Sequence, residues 1–217
     1  MTSSSAPSKI VLTGGPSGGK TTLTSAIQQE FPSQVITVPE AASIIFGGGW
    51  PRRKTHHGVQ HQQKAIFLLQ RELESLIAGE NPDRLIVCDR GSLDGVAYWP
   101  GPGPSSDFLA AVGSSFENEV SRYDWIVHLD TAPASYYDLT NPLRNESFDE
   151  AWKLNEKIKE AWATHPQRIV ISNNRSGHFL EKLQRAMFVV GKIIEGASFA
   201  EIQASLAPAN VQTNSAP

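Results

Sequence analysis

The chain has one cysteine, no large excess of either charge and no long apolar run, and each shortage excludes something. A lone cysteine, Cys88, cannot form an internal disulfide, and at the end of Leu85-Ile86-Val87 it reads as a small core residue. A formal net charge of -3 gives no global attraction for nucleic-acid phosphates or an anionic membrane face, so neither partner is expected and anion binding must be local. No apolar stretch approaches the roughly 20 residues that span a bilayer. The opening Met1-Thr2-Ser3-Ser4-Ser5-Ala6 lacks the basic start and apolar core of a signal peptide, which makes the cytoplasm the expected location. What is present is enough hydrophobic residue, 40% of 217, for one substantial core. One domain is expected over residues 9–206, between termini 1–8 and 207–217 whose small polar residues and prolines predict flexibility.

Within that span, short β-branched runs alternate with helical patterns, the order of a parallel sheet covered by helices on both faces. Strands are predicted at 9–12, 35–38, 84–88, 125–129 and 168–171. Helices should begin near Lys20, His61, Asp107 and Phe148, with a terminal helix over 177–195 and a short one from Phe199. In the helix from His61, Ile66, Leu69, Leu73 and Leu76 or Ile77 recur at spacings of three and four and predict the inward face. Ser147-Phe148-Asp149-Glu150 is a capping-box pattern, and Phe148, Trp152, Asn155 and Trp162 after it form a plausible buried stripe. Trp99-Pro100-Gly101-Pro102-Gly103-Pro104 fits neither a helix nor a central strand and predicts a rim loop.

The most specific pattern is Gly14-Gly15-Pro16-Ser17-Gly18-Gly19-Lys20-Thr21-Thr22. It follows the strand-like Lys9-Ile10-Val11-Leu12 and opens the first helix, the context a phosphate cradle requires. Glycines permit backbone conformations that turn main-chain amides toward a phosphate at the positive end of the helix. Lys20 would neutralise the terminal phosphates of ATP, and the Thr21 hydroxyl would bind Mg2+.

A second acidic group for the metal should end a neighbouring strand, and both Asp89 and Asp130 do so. Asp89 is preferred because Arg90 and Asp94 follow it closely, a charge cluster that a core tolerates only when paired or functional. Glu40, after Val35-Ile36-Thr37-Val38-Pro39, should reach the same crevice. Two roles are open to it: general base toward an acceptor hydroxyl, or cap of the helical Ala41-Ala42-Ser43-Ile44-Ile45-Phe46. Arg144 lies in a lid segment at about 131–147 and is either an arginine that closes over the nucleotide or a surface partner of Glu146. Gly47-Gly48-Gly49-Trp50-Pro51 leads into Arg52, Arg53, His57 and His61. Solvated loop charge and recognition of an anionic substrate group both fit the arginines; His57 and His61 share a helical face without the further ligands of a zinc site. Ser172-Asn173-Asn174-Arg175, after the last strand, is positioned to meet adenine and ribose.

Taken together, the cradle, Val38-Pro39-Glu40-Ala41-Ala42, Cys88-Asp89-Arg90-Gly91-Ser92-Leu93-Asp94-Gly95 and Asn141-Pro142-Leu143-Arg144-Asn145-Glu146 resemble the AAA-labelled P-loop family of ATPases and kinases associated with NAD metabolism. That family is similar to nucleoside and ribosylnicotinamide kinases more than to ring-forming motor ATPases. The resemblance covers most of residues 9–195. It implies an α/β, three-layer P-loop NTPase fold with a mostly parallel central sheet and a lid. It gives Lys20 and Thr21 nucleotide and Mg2+ duties, Asp89 the second acidic role, Arg144 the lid role and Glu40 the place of the base in related deoxynucleoside kinases. In those kinases the triplet corresponding to Asp89-Arg90-Gly91 ends in serine, so Gly91 is a departure that bears on Arg90. Arg90 and Asp94, with Arg52, Arg53, His57 and Glu40, are the candidate substrate-binding residues.

The expected activity is ATP- and Mg2+-dependent transfer of a phosphoryl group to the hydroxyl of a small, nucleoside-like acceptor. A nucleotide-dependent regulatory switch acting on a protein partner is the alternative, and would need no acceptor pocket. ATP is preferred to GTP because no Asn-Lys-x-Asp guanine-reading motif is present. Oligomeric state is not legible, because packed helix faces and subunit faces have the same composition.

Overall fold

A computed structural model describes residues 8–101, 105–137, 147–173 and 179–206. In chain order the elements are β1 (Lys9–Thr13), α1 (Lys20–Glu30), β2 (Val35–Val38), α2 (Ala41–Gly47), α3 (His56–Glu80), β3 (Leu85–Asp89), α4 (Asp94–Tyr98), α5 (Ser105–Ala111), α6 (Phe116–Val120), β4 (Trp125–Leu129), α7 (Phe148–Ala161), β5 (Arg168–Ile171), α8 (Phe179–Ile194) and α9 (Phe199–Leu206). The strands form one sheet in the order β2-β3-β1-β4-β5, and every pairing is parallel.

Parallel strands must be covered on both faces, and the alternation of side chains divides the core accordingly. Ile10, Leu12, Val127, Leu129, Ile169 and Ile171 face Leu23 and Ile27 of α1 and Ala186, Val189, Val190 and Ile193 of α8. Val11, Ile86, Cys88 and Ile126 point the other way, onto Phe67 of α3, Phe108 of α5, Ile158 of α7 and Trp162 just after it. The result is the expected three-layer α/β arrangement. Because all five strands run the same way, their carboxyl ends form one rim. Leu12 is in register with Asp89, Thr13 with His128 and Val38 with Cys88, so the residues after β1, β2 and β3 emerge side by side.

Two helices depart from expectation. Helix α3 starts at His56, five residues before the predicted His61, because the Thr55 side chain accepts from the Gly58 amide and caps it. Its buried line is Gln63, Phe67, Gln70 and Glu74, whereas Leu76 is 56% exposed. Leu73 and Ile77 of the predicted face do pack against the core. Glu74 is buried beside them because it accepts from Arg122 at 2.7 Å and Tyr123 at 2.8 Å, which come from a distant part of the chain, and from Gln70 of the same helix at 3.1 Å. Helix α7 has the predicted capping box, with Ser147 and Glu150 bonding reciprocally. Its buried side is Ala151, Asn155, Ile158 and Ala161, continued by Trp162 just past its end, while Trp152 is turned 42% to solvent. Short helices α4 and α6 were not expected. Among the described residues no helix is long and apolar enough to cross a membrane.

Candidate active site

The loop from Gly14 to Gly19 wraps the amino end of α1 and needs its glycines for two reasons. Gly14 and Gly19 adopt φ of 123° and 95°, a region costly for residues with a Cβ. Neighbours also leave no room: a Cβ at Gly14 would lie 2.0 Å from the Leu129 carbonyl oxygen, and one at Gly19 would lie 2.6 Å from the Phe179 ring. Ser17 takes φ of 60° and keeps a buried hydroxyl with no hydrogen-bond partner among the described residues. Lys20 folds back over the loop, donating to the carbonyls of Gly14 at 2.9 Å and Gly15 at 2.8 Å. Burial, reinforced by nearby Arg90 and opposed by Asp89 and Glu40, lowers its ammonium to about 7. An ammonium so poorly compensated is prepared to take an anion.

Beside it, the Thr21 hydroxyl donates to Asp89 Oδ2 at 3.3 Å. Burial raises the Asp89 carboxyl above its ordinary value despite the opposing pull of Lys20. A hydroxyl and a buried, under-compensated carboxylate are the oxygen donors a hard divalent cation accepts. Asp130, the alternative, is differently placed. It accepts from Asn155 at 3.0 Å and pairs with Lys159 at 2.8 Å. Against the upward pull of burial, hydrogen bonds from His128, Lys159 and Asn155 hold its carboxyl well below the usual range.

Glu40 occupies the cap position of α2, but its side chain does not cap the helix. It accepts from the Ser43 hydroxyl and, through Oε1, from Arg90 Nε at 2.5 Å. Burial would raise the Glu40 carboxyl, but Arg90 and Ser43 outweigh it and bring it down to about 2. Arg90 is itself held on every side: its amide donates to the Leu12 carbonyl, NH1 pairs with Asp94 at 3.1 Å, and its carbonyl accepts from Gln70 at 3.4 Å. Those contacts sustain a φ of 74° that costs a non-glycine residue on the order of 1 kcal/mol. Asp94 is 4% exposed and already engaged by the Thr13 hydroxyl at 2.6 Å, Trp162 Nε1 at 2.8 Å and Arg90. Its carboxylate therefore links Arg90 to β1 and to Trp162.

The predicted site residues thus divide. Lys20, Thr21, Glu40, Asp89, Arg90 and Asp94 converge at one end of the sheet, joined by the contacts above. Arg52, Arg53 and His57 are exposed: Arg52 stacks on Phe46 at 3.9 Å, Gln62 brackets the Arg53 backbone, and the His57 ring meets His61 at 4.4 Å. Among the described residues no ion pair joins these three to Glu40, Arg90 or Lys20, and no group of three metal-ligating side chains occurs. Arg144 and Arg175 lie outside the described residues. Sequence reasoning missed Gln70, which reaches both the Ala41 amide and the Arg90 carbonyl, each at 3.4 Å. Its place one helical turn before Glu74 on α3 was the only signal.

Sheet order, loop geometry and the buried lysine define a P-loop nucleotide-binding fold. A family model described as an AAA domain matches residues 9–181, and the chain belongs to that family. Among solved structures, the thymidylate kinase of Candida albicans is similar with a TM-score of 0.54 at 14% identity, over 88% of this chain and 92% of that one. The thymidylate kinase of Ehrlichia chaffeensis is similar with a TM-score of 0.58 at 11% identity, over 88% of this chain and 100% of that one. At such identities the likeness is one of fold. No curated protein matches the chain in sequence.

Proposed function

We propose that this protein transfers the γ-phosphoryl group of ATP to a hydroxyl of a small, nucleoside-like acceptor. The observation that carries the proposal is the convergence of an anion-ready cradle with a carboxylate–guanidinium pair, Glu40–Arg90, at the same sheet end. A bare nucleotide-binding switch has no need of that pair. Amides of the Gly14–Thr22 loop and Lys20 hold the donor phosphates, replacing the Lys20 contacts to Gly14 and Gly15. Thr21 and Asp89 would hold Mg2+, which supplies charge neutralisation for the phosphates.

Glu40 faces the acceptor hydroxyl, orients it and takes its proton as the bond to phosphorus forms. A carboxylate held at about 2 is a weak base, but it stays ionised at neutral pH. A loose phosphoryl-transfer transition state calls for alignment more than for early proton removal. Arg90 fixes Glu40 and adds positive charge near the transferring group. Arg52, Arg53 and His57, at the entry to α3, are assigned to an anionic group of the acceptor, and Arg144 to closure over the nucleotide. Separate replacement of Lys20 by Ala and Glu40 by Gln tests the assignment: both variants should lose phosphoryl transfer, and undiminished transfer in both would contradict it.

A further inference from the structure

Asn155, on α7, is in contact with the cradle. Its Oδ1 accepts from the Gly15 amide at 3.0 Å and the Thr131 amide at 3.2 Å, with His128 Nε2 at 3.1 Å. Its Nδ2 donates to Asp130 Oδ1 at 3.0 Å and to Glu156 Oε1 at 3.1 Å. The residue is fully buried, and the packing is as close as the bonding: a Cβ at Gly15 would lie 2.1 Å from Thr131 Oγ1 and 2.7 Å from Asn155 Cβ. One amide side chain therefore ties three separate pieces of chain, the loop after β1, the strand end of β4 and the middle of α7.

We infer that Asn155 is a positioning residue that sets the entry of the phosphate cradle and couples its occupancy to α7. A leucine-sized group cannot accept from Gly15, and a buried amide left without a partner swings to find one, taking the start of the loop with it. Asp130 serves as the second half of the device. Together with the more exposed Glu156, it fixes the orientation of the Asn155 amide, so that the oxygen and not the nitrogen faces Gly15. Lys159, one turn further along α7, pairs with the same Asp130 oxygen at 2.8 Å and holds that orientation from the helix side. The inference rests on the cradle binding ATP, as proposed above, but concerns how the cradle is held.

The test is calorimetric titration of ATP with Mg2+ into wild type, Asn155→Leu, Asn155→Asp and the double variant Asn155→Asp/Asp130→Asn. Both single variants should bind about tenfold more weakly or worse, the scale of stranding a buried donor or setting two carboxylates together. The double variant should bind at least about threefold more tightly than Asn155→Asp, because the exchanged carboxylate still accepts from Gly15 and the exchanged amide supplies its donor, while Glu156 continues to face it. Wild-type affinity in the single variants, or no recovery in the double, would overturn the inference. Should Asn155→Leu fail to fold, Asn155→Asp and its rescue decide the matter. Hydrogen exchange supplies a readout that a purely structural role leaves unmoved: saturating ATP should protect α7 amides in wild type and not in the single variants. Equal protection in all would also overturn it. Wild-type protein that binds no ATP would instead contradict the function proposed above, and this inference with it.

Discussion

Arg90 Nε lies 2.5 Å from Glu40 Oε1, joining the residue that follows β3 to the residue that leads into α2 across fifty positions of sequence. Neither side chain is placed by its own strand alone. Glu40 gives up the capping of α2 to make the contact, and Arg90 accepts a left-handed backbone.

Replacing Glu40 by Gln keeps the size of the side chain and removes the charge that orients Arg90. Turnover should fall by about 100-fold or more, within the span of a positioned acid–base group, while ATP affinity stays within about threefold. Steady-state kinetics with a binding isotherm separates the two. A fall in affinity matching the fall in turnover would place Glu40 in the donor half of the site instead.

The same pair predicts how stability responds to acid. The folded Glu40 carboxyl is lowered from an ordinary 4.5 to about 2, so its contribution is complete above 4.5 and is lost as pH falls toward 2. Between those limits wild type should lose more stability than Glu40→Gln. Denaturant melts at pH 5 and pH 3 measure the difference, and parallel losses in the two proteins would show that the pair contributes nothing.

Gly91 is packed too closely to carry a side chain. A Cβ there would lie 2.7 Å from Trp162 Cζ2 and 2.9 Å from Val11 Cγ1, both buried. Gly91→Ser should destabilise the protein by about 1–3 kcal/mol, the usual cost of overpacking, in equilibrium unfolding. A neutral outcome would mean that Trp162 moves freely, and with it the Asp94 to which it donates.

Gly19→Ala combines an unfavourable φ with a collision against Phe179. Loss of nucleotide binding by about tenfold or more is expected, because the strain falls on the residue directly before Lys20, at the amino end of α1. Unaltered binding would show that the loop does not hold phosphate in the conformation described.

All five strands were legible because parallel strands buried on both faces are written as short β-branched runs, and the cradle because its glycines sit at fixed spacing. From these two features the convergence of Lys20, Glu40 and Asp89 follows, since strand ends of a parallel sheet meet at one rim. Residues whose meaning depends on a distant partner were not legible. Glu74 and Gln70 lay outside the apolar line predicted for α3, and are buried because Arg122 and Tyr123 reach Glu74 while Gln70 reaches Ala41 and Arg90. Asp94 reads as a substrate residue from its charge alone, and nothing in the sequence signals that Thr13, Trp162 and Arg90 all bond to it. Asn155 sat in an aromatic stripe that suggested packing, and instead bonds to the cradle.

The most direct measurement follows the label from γ-labelled ATP with Mg2+ when the protein is given a panel of nucleosides, nucleotides and other small hydroxyl-bearing metabolites. Phosphoryl transfer requires label in an organic acceptor, in an amount that depends on which acceptor is supplied and is abolished by Lys20→Ala. Label released only as inorganic phosphate, at a rate indifferent to every acceptor, would contradict the kinase proposal and favour a nucleotide-driven switch.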